Sequence, residues 1–213
     1  MEGNLTVDTI KQILEELSKK RPIFHSEADF QHALAWEIHQ KFNEIDIRLE
    51  KRFKVSRLGE IYVDIFLKAN NTPIAIETKY TTKKLETVLN GEEFVLKNHS
   101  ALNIRRYDFL SDIYRLEKLK SARKITKGFA IFLTNAPGYW NEPRRKNTND
   151  KDFRIHQDRK IEASKTLKWS PNTSKGTKKG RERALRFEKE YLFKWELYSK
   201  DTNYEFKYLL IEI

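Results

Sequence analysis

Three short segments rich in β-forming residues follow one another between residues 46 and 80, and they constrain the fold more than any other feature. They read DIRLEKRFKV, EIYVDIFLK and PIAIETKY. Segments of this length and composition are typical of strands. Because only a few residues connect them, neighbouring strands are expected to run antiparallel, as a meander.

Helices are predicted on both sides of this meander. Val7 to Lys20 has apolar residues at helical spacing, and a second helix follows the N-cap residue Ser26 and continues to about residue 42. Residues 81–100 are predicted to form a loop or a frayed helix. The segment LNIRRYDFLSDIYRLEKLKSA is predicted to be a helix with one apolar side. GFAIFLTN then has the composition of a fully buried strand, and the helix before it allows a parallel crossover.

The remainder of the chain is irregular and basic. Residues 139–186 have poor periodicity, and two strand candidates follow, EYLFKWELY and YEFKYLLIEI. We expect one domain, 1–213, of the α/β class on the border with α+β, with a mixed central β-sheet flanked by helices. Its core would span about 26–135, its basic extension 139–186 and its C-terminal strands 187–213.

The positive charge is unevenly distributed. The net charge is +11, from 42 Lys and Arg against 31 Asp and Glu, and the segment from Asn141 to Glu190 alone holds 16 basic and 8 acidic residues. Such a concentration indicates a polyanionic partner such as nucleic acid, or alternatively a solubilising surface.

Several other classes of protein are disfavoured. The chain has no cysteine, which excludes disulfides, thiolate metal ligands and a thiol nucleophile. No apolar run approaches the roughly 18 residues of a membrane-spanning helix. The N-terminal segment lacks the basic and apolar stretches of a secretory signal. We therefore expect a cytoplasmic protein with no membrane partner.

Charged residues interrupt two of the strands. Asp64 lies between Val63 and Ile65, and Glu77 and Lys79 lie two residues apart in IAIETKY. Alternation places Glu77 and Lys79 on one face, and a hairpin would bring Asp64 beside them. Two close carboxylates are relieved by a divalent cation or by a raised pKa. The three residues therefore indicate either a metal site or a structural cluster of salt bridges.

Two carboxylates with a lysine also suit the hydrolysis of a phosphodiester. VDI at 63–65 followed by IETKY at 76–80 resembles the PD-(D/E)XK nuclease superfamily, which has the restriction-endonuclease-like fold. The pattern of that superfamily, an acid on one strand and acid-any-lysine on the next, matches Asp64 and Glu77-Thr78-Lys79. Val63 stands where the superfamily name has proline. The predicted order of elements over 26–135, about half the chain, also resembles the common fold of the superfamily.

The resemblance implies a metal-dependent endonuclease that hydrolyses DNA, most simply double-stranded DNA. It implies Mg²⁺, with Mn²⁺ as a substitute, bound by Asp64, Glu77 and the backbone carbonyl of Thr78. Lys79 would position or activate the attacking water and stabilise charge on the phosphate. A homodimer that cuts both strands is one arrangement consistent with the superfamily, although no dimer surface can be identified in the sequence.

The resemblance also implies an acid on the helix that precedes the meander. Glu27 is the best match, because at 100° per residue it lies along the apolar stripe of Leu34 and Ile38. It would contribute to catalysis and, together with Gln31 one turn further on, bind a second metal ion or a metal-bound water; Gln31 is also a candidate contact to the nucleic acid. The alternative for Glu27 is a favourable interaction with the helix dipole. Glu50 is a weaker candidate, better explained as a member of a cross-strand ion pair.

The basic extension supplies the candidate phosphate contacts. Tyr139, Trp140 and Trp169 lie among its basic residues and either anchor it to the core, which we favour, or stack on bases. The basic candidates are Arg144, Arg145, Lys146, Lys178, Lys179 and Arg181. Two other functions remain open: a non-catalytic nucleic-acid-binding module on the same fold, and a basic domain that binds an acidic protein.

Overall fold

The computed structural model describes residues 5–42, 45–56, 58–69 and 71–213. The helices are α1 (Val7–Lys20), α2 (Glu27–Lys41), α3 (Leu102–Ser121) and the single turn α4 (Lys175–Lys178). The strands of the first half are β1 (Asp46–Val55), β2 (Gly59–Ala69), β3 (Thr72–Thr81), β4 (Leu85–Leu89), β5 (Glu92–Leu96) and β6 (Lys127–Thr134). Those of the second half are β7 (Lys160–Ile161), β8 (Thr166–Leu167), β9 (Leu185–Arg186), β10 (Tyr191–Leu192), β11 (Trp195–Lys200) and β12 (Glu205–Glu212).

The central sheet has six strands in the order β1-β2-β3-β6-β12-β11. β1, β2 and β3 form an antiparallel meander, and α3 carries the chain back so that β6 lies parallel to β3. β12 and β11 extend the sheet antiparallel to β6. The predicted mixed α/β architecture, with its meander and its parallel crossover, is therefore confirmed.

Helices cover both faces of this sheet. One face carries α1 and α2, whose apolar residues pack against Ile74 and Ile76 of β3. The other carries α3 and much of the C-terminal region, which pack against Ala75 and Phe132. The alternation along β3 assigns successive residues to opposite faces. Glu77 and Lys79 have the parity of Ala75 and so belong to the α3 side.

The prediction for residues 81–100 is wrong, because they contain an antiparallel hairpin of β4 and β5 rather than a loop or a frayed helix. Its turn is Asn90-Gly91, and both residues have positive φ, 51° and 83°. An Asn-Gly pair at such angles is the preferred two-residue hairpin turn. Phe94 and Leu96 bury the inner face of the hairpin. Exposed apolar residues on its outer face, Val88 and Val95, concealed this alternation.

The basic extension is anchored by its aromatic residues. Tyr139, Trp140 and Trp169 are all buried, at 7% exposure or less. Trp169 stacks on Tyr107 of α3 and donates a hydrogen bond from its indole nitrogen to the carbonyl of Arg181. The interpretation of these residues as core anchors is confirmed. The first predicted C-terminal strand is divided into β10 and β11.

At Gly128 strand β6 lies close to both α3 and Ile213. A Cβ atom at Gly128 would lie 3.3 Å from the Cβ atoms of both Leu116 and Ile213. These neighbours cannot rotate away, so we expect Gly128→Ala to destabilise the protein by about 1–3 kcal/mol. Gly176→Ala is the matched control, because its Cβ would meet nothing within 4 Å. Chemical denaturation of the two variants measures the difference; equal free energies of unfolding would contradict the close packing.

Candidate active site

The central sheet splits where the acidic residues lie. β2 pairs with β3 from Ala69 opposite Thr72 as far as Ile65 opposite Ile76. Beyond that point β2 pairs with β1 only, while β3 continues beside β6 as far as Thr81. One edge of β3 is therefore free of strand partners after Ile76, and its backbone groups need other hydrogen-bond partners.

Side chains supply those partners. The amide of Thr78 donates to Oδ2 of Asp64 at 2.7 Å, and the Thr78 hydroxyl donates to the same oxygen at 2.8 Å. The amide of Tyr80 donates to Oε2 of Glu27 at 2.8 Å. The Gln31 amide donates to the backbone carbonyl of Asp64 at 2.7 Å. Asp64, Glu27 and Gln31 are thus fixed in the opening by the backbone that the split exposes.

Lys79 and Glu77 point from β3 toward α3. The Lys79 ammonium lies 3.5 Å from Oε1 of Glu27 and 3.5 Å from Oδ2 of Asp112. Nη2 of Arg115 lies 3.0 Å from Oε1 of Glu77 and 2.6 Å from Oδ1 of Asp112. The structure therefore brings the predicted residues Asp64, Glu77, Lys79 and Glu27 into one site, together with two residues of α3.

Asp112 and Arg115 were not predicted from the sequence. Both lie three residues apart in the middle of α3, between the buried residues Phe109, Ile113 and Leu116. A charged pair within an apolar stripe was a usable signal, since such residues are rarely buried without a partner. Glu50, a weaker candidate, accepts a hydrogen bond from Gln31 at 3.1 Å and so lies next to the site; among the described residues it forms no cross-strand ion pair.

Burial dominates the electrostatics of the site. The Glu77 side chain is 2% exposed and that of Asp112 is 4% exposed. Burial, and next the charge of Asp112, raises the pKa of Glu77 well above its usual value. Burial also raises the pKa of Asp112. For Lys79 burial lowers the pKa, but the surrounding carboxylates outweigh it and raise the pKa, so Lys79 stays protonated at neutral pH.

The site contains more carboxylates than cations. Four carboxylates surround the ammonium of Lys79 and the guanidinium of Arg115, so full ionisation would leave an excess of two negative charges. We call these residues the carboxylate cluster: Glu27, Asp64, Glu77 and Asp112.

The carboxylate cluster fits a divalent cation in ligand type and in charge. Its oxygens are the ligands that Mg²⁺ prefers, and one such ion would balance the excess. Oδ2 of Asp112 is buried and accepts no hydrogen bond from any described residue. Within the described ranges, no three acidic or histidine side chains already converge in a geometry that would hold a metal ion.

Glu77→Gln is expected to stabilise the metal-free protein. Because the folded-state pKa of Glu77 is raised, the folded protein retains a proton that the unfolded chain releases. The stability from Glu77 is therefore present in full below the ordinary carboxyl pKa of 4.5 and is lost as pH rises through the folded-state pKa. Glutamine does not ionise, so the variant keeps the free energy of unfolding that the wild type loses. Its Tm at pH 8 should therefore be higher by about 2–4 °C for each kcal/mol of that free energy.

Thermal melts in EDTA from pH 5 to pH 8 check this expectation. The wild-type Tm should fall more steeply with rising pH than that of Glu77→Gln. Glu86→Gln, on the exposed face of the β4–β5 hairpin, is the control and should keep the wild-type slope. Parallel curves for the wild type and Glu77→Gln would contradict the raised pKa.

The predicted phosphate contacts are spread along the basic extension. Arg144, Arg145, Lys146 and Lys179 are exposed, and Lys178 is partly exposed. Arg181 is not free, because its guanidinium binds both carboxylate oxygens of Asp108, at 2.6 and 3.1 Å. Asp108 lies one helical turn before Asp112 on α3, so this pair fastens the extension beside the site.

Comparison with known proteins yields no relative: no protein-family model matches the chain, and neither a curated protein nor a solved structure shows a significant match. Among the residues that the structure describes, no helix combines the length and the apolar character needed to cross a bilayer.

Proposed function

We propose that this protein is a metal-dependent endonuclease of the PD-(D/E)XK type, with a restriction-endonuclease-like core over about 26–135, that hydrolyses phosphodiester bonds of double-stranded DNA. One observation carries the proposal. The sheet opens beyond Ile65 and Ile76, Thr78 holds Asp64 there, and Glu77 and Lys79 on either side of Thr78 are close enough to Asp64 to interact with its charge. A purely structural salt-bridge cluster would have no need to interrupt the hydrogen bonding of a central sheet.

Asp64, Glu77 and the carbonyl of Thr78 would hold Mg²⁺ or Mn²⁺, with Glu27 available to a second ion. A bound divalent cation supplies polarisation of the phosphoryl group and a more acidic water. Asp64 is suited to this role because two hydrogen bonds from Thr78 hold one of its oxygens in a fixed position. Preorganised ligands of this kind lose little entropy when they bind.

Lys79 acts as a permanent positive charge in this proposal. Its raised pKa keeps it protonated, so it donates hydrogen bonds to a phosphate oxygen or to the attacking water rather than removing a proton. Glu27 positions it, because the Glu27 carboxylate is held by the backbone of Tyr80 and lies 3.5 Å from the ammonium. The ammonium stabilises negative charge as it develops on the phosphate.

The basic extension would hold the DNA backbone beside the site. Its excess of positive charge supports sequence-independent contacts to phosphates, which position a duplex without specifying its sequence. The strongest candidates are the exposed residues Arg144, Arg145, Lys146 and Lys179. Among the described residues we identify no ion pair that these four side chains would have to break in order to bind a phosphate.

Incubation of supercoiled plasmid with the purified protein tests the proposal. We expect nicked and linear products with Mg²⁺ or Mn²⁺, and none with EDTA. Salt-sensitive binding of DNA without metal-dependent cleavage would instead support the non-catalytic binding module. No binding at low salt would support the protein-interaction domain. Size-exclusion chromatography with light scattering, with and without a DNA duplex, tests the homodimer.

A further inference from the structure

Arg115 occupies an unusual position among the carboxylates. Its guanidinium bridges Glu77 and Asp112, whose side chains are almost fully buried, whereas the Arg115 side chain itself is 34% exposed. Arg115 therefore enters the carboxylate cluster from the solvent side.

The bridge is also incompletely hydrogen-bonded. The single nitrogen Nη2 makes the contacts to both Glu77 and Asp112, at 3.0 and 2.6 Å. An arginine that pairs strongly with a carboxylate uses two nitrogens in parallel. Nε of Arg115 is buried and has no hydrogen-bond partner among the described residues. Arg115 thus neutralises charge in the cluster without the geometry of a permanent ion pair.

We propose that Arg115 is a displaceable internal cation that competes with a divalent metal ion for Glu77 and Asp112. This inference rests on the proposed function, because it concerns the same site. When the metal ion is absent, the guanidinium bridges the two buried side chains and offsets the negative charge of Asp112. When the metal ion binds, the guanidinium leaves them and pairs with a phosphate of the DNA.

Charge and reach both support this exchange. A guanidinium and a divalent cation placed on the same carboxylate oxygens would repel each other, so one must leave. Arg115 and Lys79 both contact Asp112, at 2.6 and 3.5 Å, so a phosphate beside Lys79 would be within reach of a long flexible arginine. Guanidinium groups bind phosphate through two nitrogens at once. Such a pair with a DNA phosphate would replace the contacts that Arg115 makes to Glu77 and Asp112 through one nitrogen.

The experiment measures Mn²⁺ binding to the full chain at fixed pH by isothermal titration calorimetry, in the absence of DNA. Arg115→Met removes the competitor, and Arg115→Gln is a second variant that retains a hydrogen-bond donor if the first does not fold. Lys118→Met is the matched control, because Lys118 lies one turn further along α3 and pairs with Glu188 outside the cluster. Circular dichroism verifies that each variant is folded.

We expect Arg115→Met or Arg115→Gln to bind Mn²⁺ about tenfold or more tightly than the wild type, and Lys118→Met to match the wild type. In Ca²⁺, the Arg115 variants should bind a DNA duplex more weakly than Lys118→Met does. Mn²⁺ binding of equal or lower affinity in the Arg115 variants would overturn the competition while leaving the proposed function intact. Absence of Mn²⁺ binding in the wild type and in both Arg115 variants would overturn the competition and the proposed function together.

Discussion

Asp64→Asn is expected to reduce metal-dependent DNA cleavage by about 10²–10³-fold while the protein stays folded. Asparagine retains an oxygen that can accept the hydrogen bonds from the amide and hydroxyl of Thr78, which are the contacts that fix Asp64 in the opening. It removes only the negative charge. A loss of cleavage would therefore report the charge of the carboxylate and not a collapse of the split between β2 and β3.

Single-turnover cleavage of a labelled duplex in Mg²⁺ measures this effect. Asp46→Asn is the control, because Asp46 begins the neighbouring strand β1, is 67% exposed and pairs only loosely with Arg48, at 3.6 Å. It should cleave at the wild-type rate. Equal rates for all three proteins would remove Asp64 from the proposed mechanism.

Asp150→Ala is expected to cause the largest loss of stability of any single change that we describe. Asp150 accepts a hydrogen bond from Arg106 of α3, and the two side chains are 4% and 6% exposed. The other terminal nitrogen of Arg106 donates to the carbonyl of Gly138, so this arginine ties α3 to the start of the basic extension. Removal of Asp150 leaves a buried guanidinium without its counter-charge, at a cost of about 3–5 kcal/mol.

Differential scanning calorimetry tests this expectation, since a cost of that size lowers Tm by about 6–20 °C in a chain of this length. Lys160→Ala is the control, because its pairing with Glu190 is exposed and should contribute no more than about 1 kcal/mol. Replacement of Arg106 and Asp150 together by leucine should recover part of the loss. A fall in Tm no larger than that of Lys160→Ala would contradict the anchoring role.

Helices and strands whose apolar residues recur at regular spacing, or that begin at a capping residue, could be predicted from the sequence. The bounds of α1 agree with the predicted Val7 to Lys20, and α2 begins after Ser26, whose hydroxyl accepts the amide of Asp29 as expected of an N-cap. The three strands of the meander agree to within a residue. In these segments local preference and tertiary packing favour the same structure.

The hairpin of β4 and β5 shows where a local signal was overlooked. Asn90-Gly91 is a strong turn sequence, but the alternation beside it is broken by exposed apolar residues, with Val88 and Val95 60% exposed or more. The mixture of polar and apolar residues conceals which face is buried. Tertiary contacts of Phe94 and Leu96 decide the structure there.

The candidate site could be predicted where its residues lie on adjacent strands, and at Glu27 where the family resemblance implied an acid on the preceding helix. Asp64, Glu77 and Lys79 follow from strand alternation and from the short connection of the meander. Asp112 and Arg115 reach the site through the packing of α3 on β3, and the sequence does not specify which helical turn faces which strand residue. The splitting of the sheet, which fixes Asp64 and Glu27, is likewise a property of the folded chain.

The central claim is that the opening between β2 and β3 holds a catalytic metal ion. A crystal of the protein soaked in Mn²⁺, with anomalous data collected at the manganese edge, tests it most directly. We expect a peak about 2.0–2.6 Å from carboxylate oxygens of Asp64 and Glu77, with the guanidinium of Arg115 moved away from Glu77. An anomalous map with no peak in this opening, at a Mn²⁺ concentration that supports cleavage, would contradict the account.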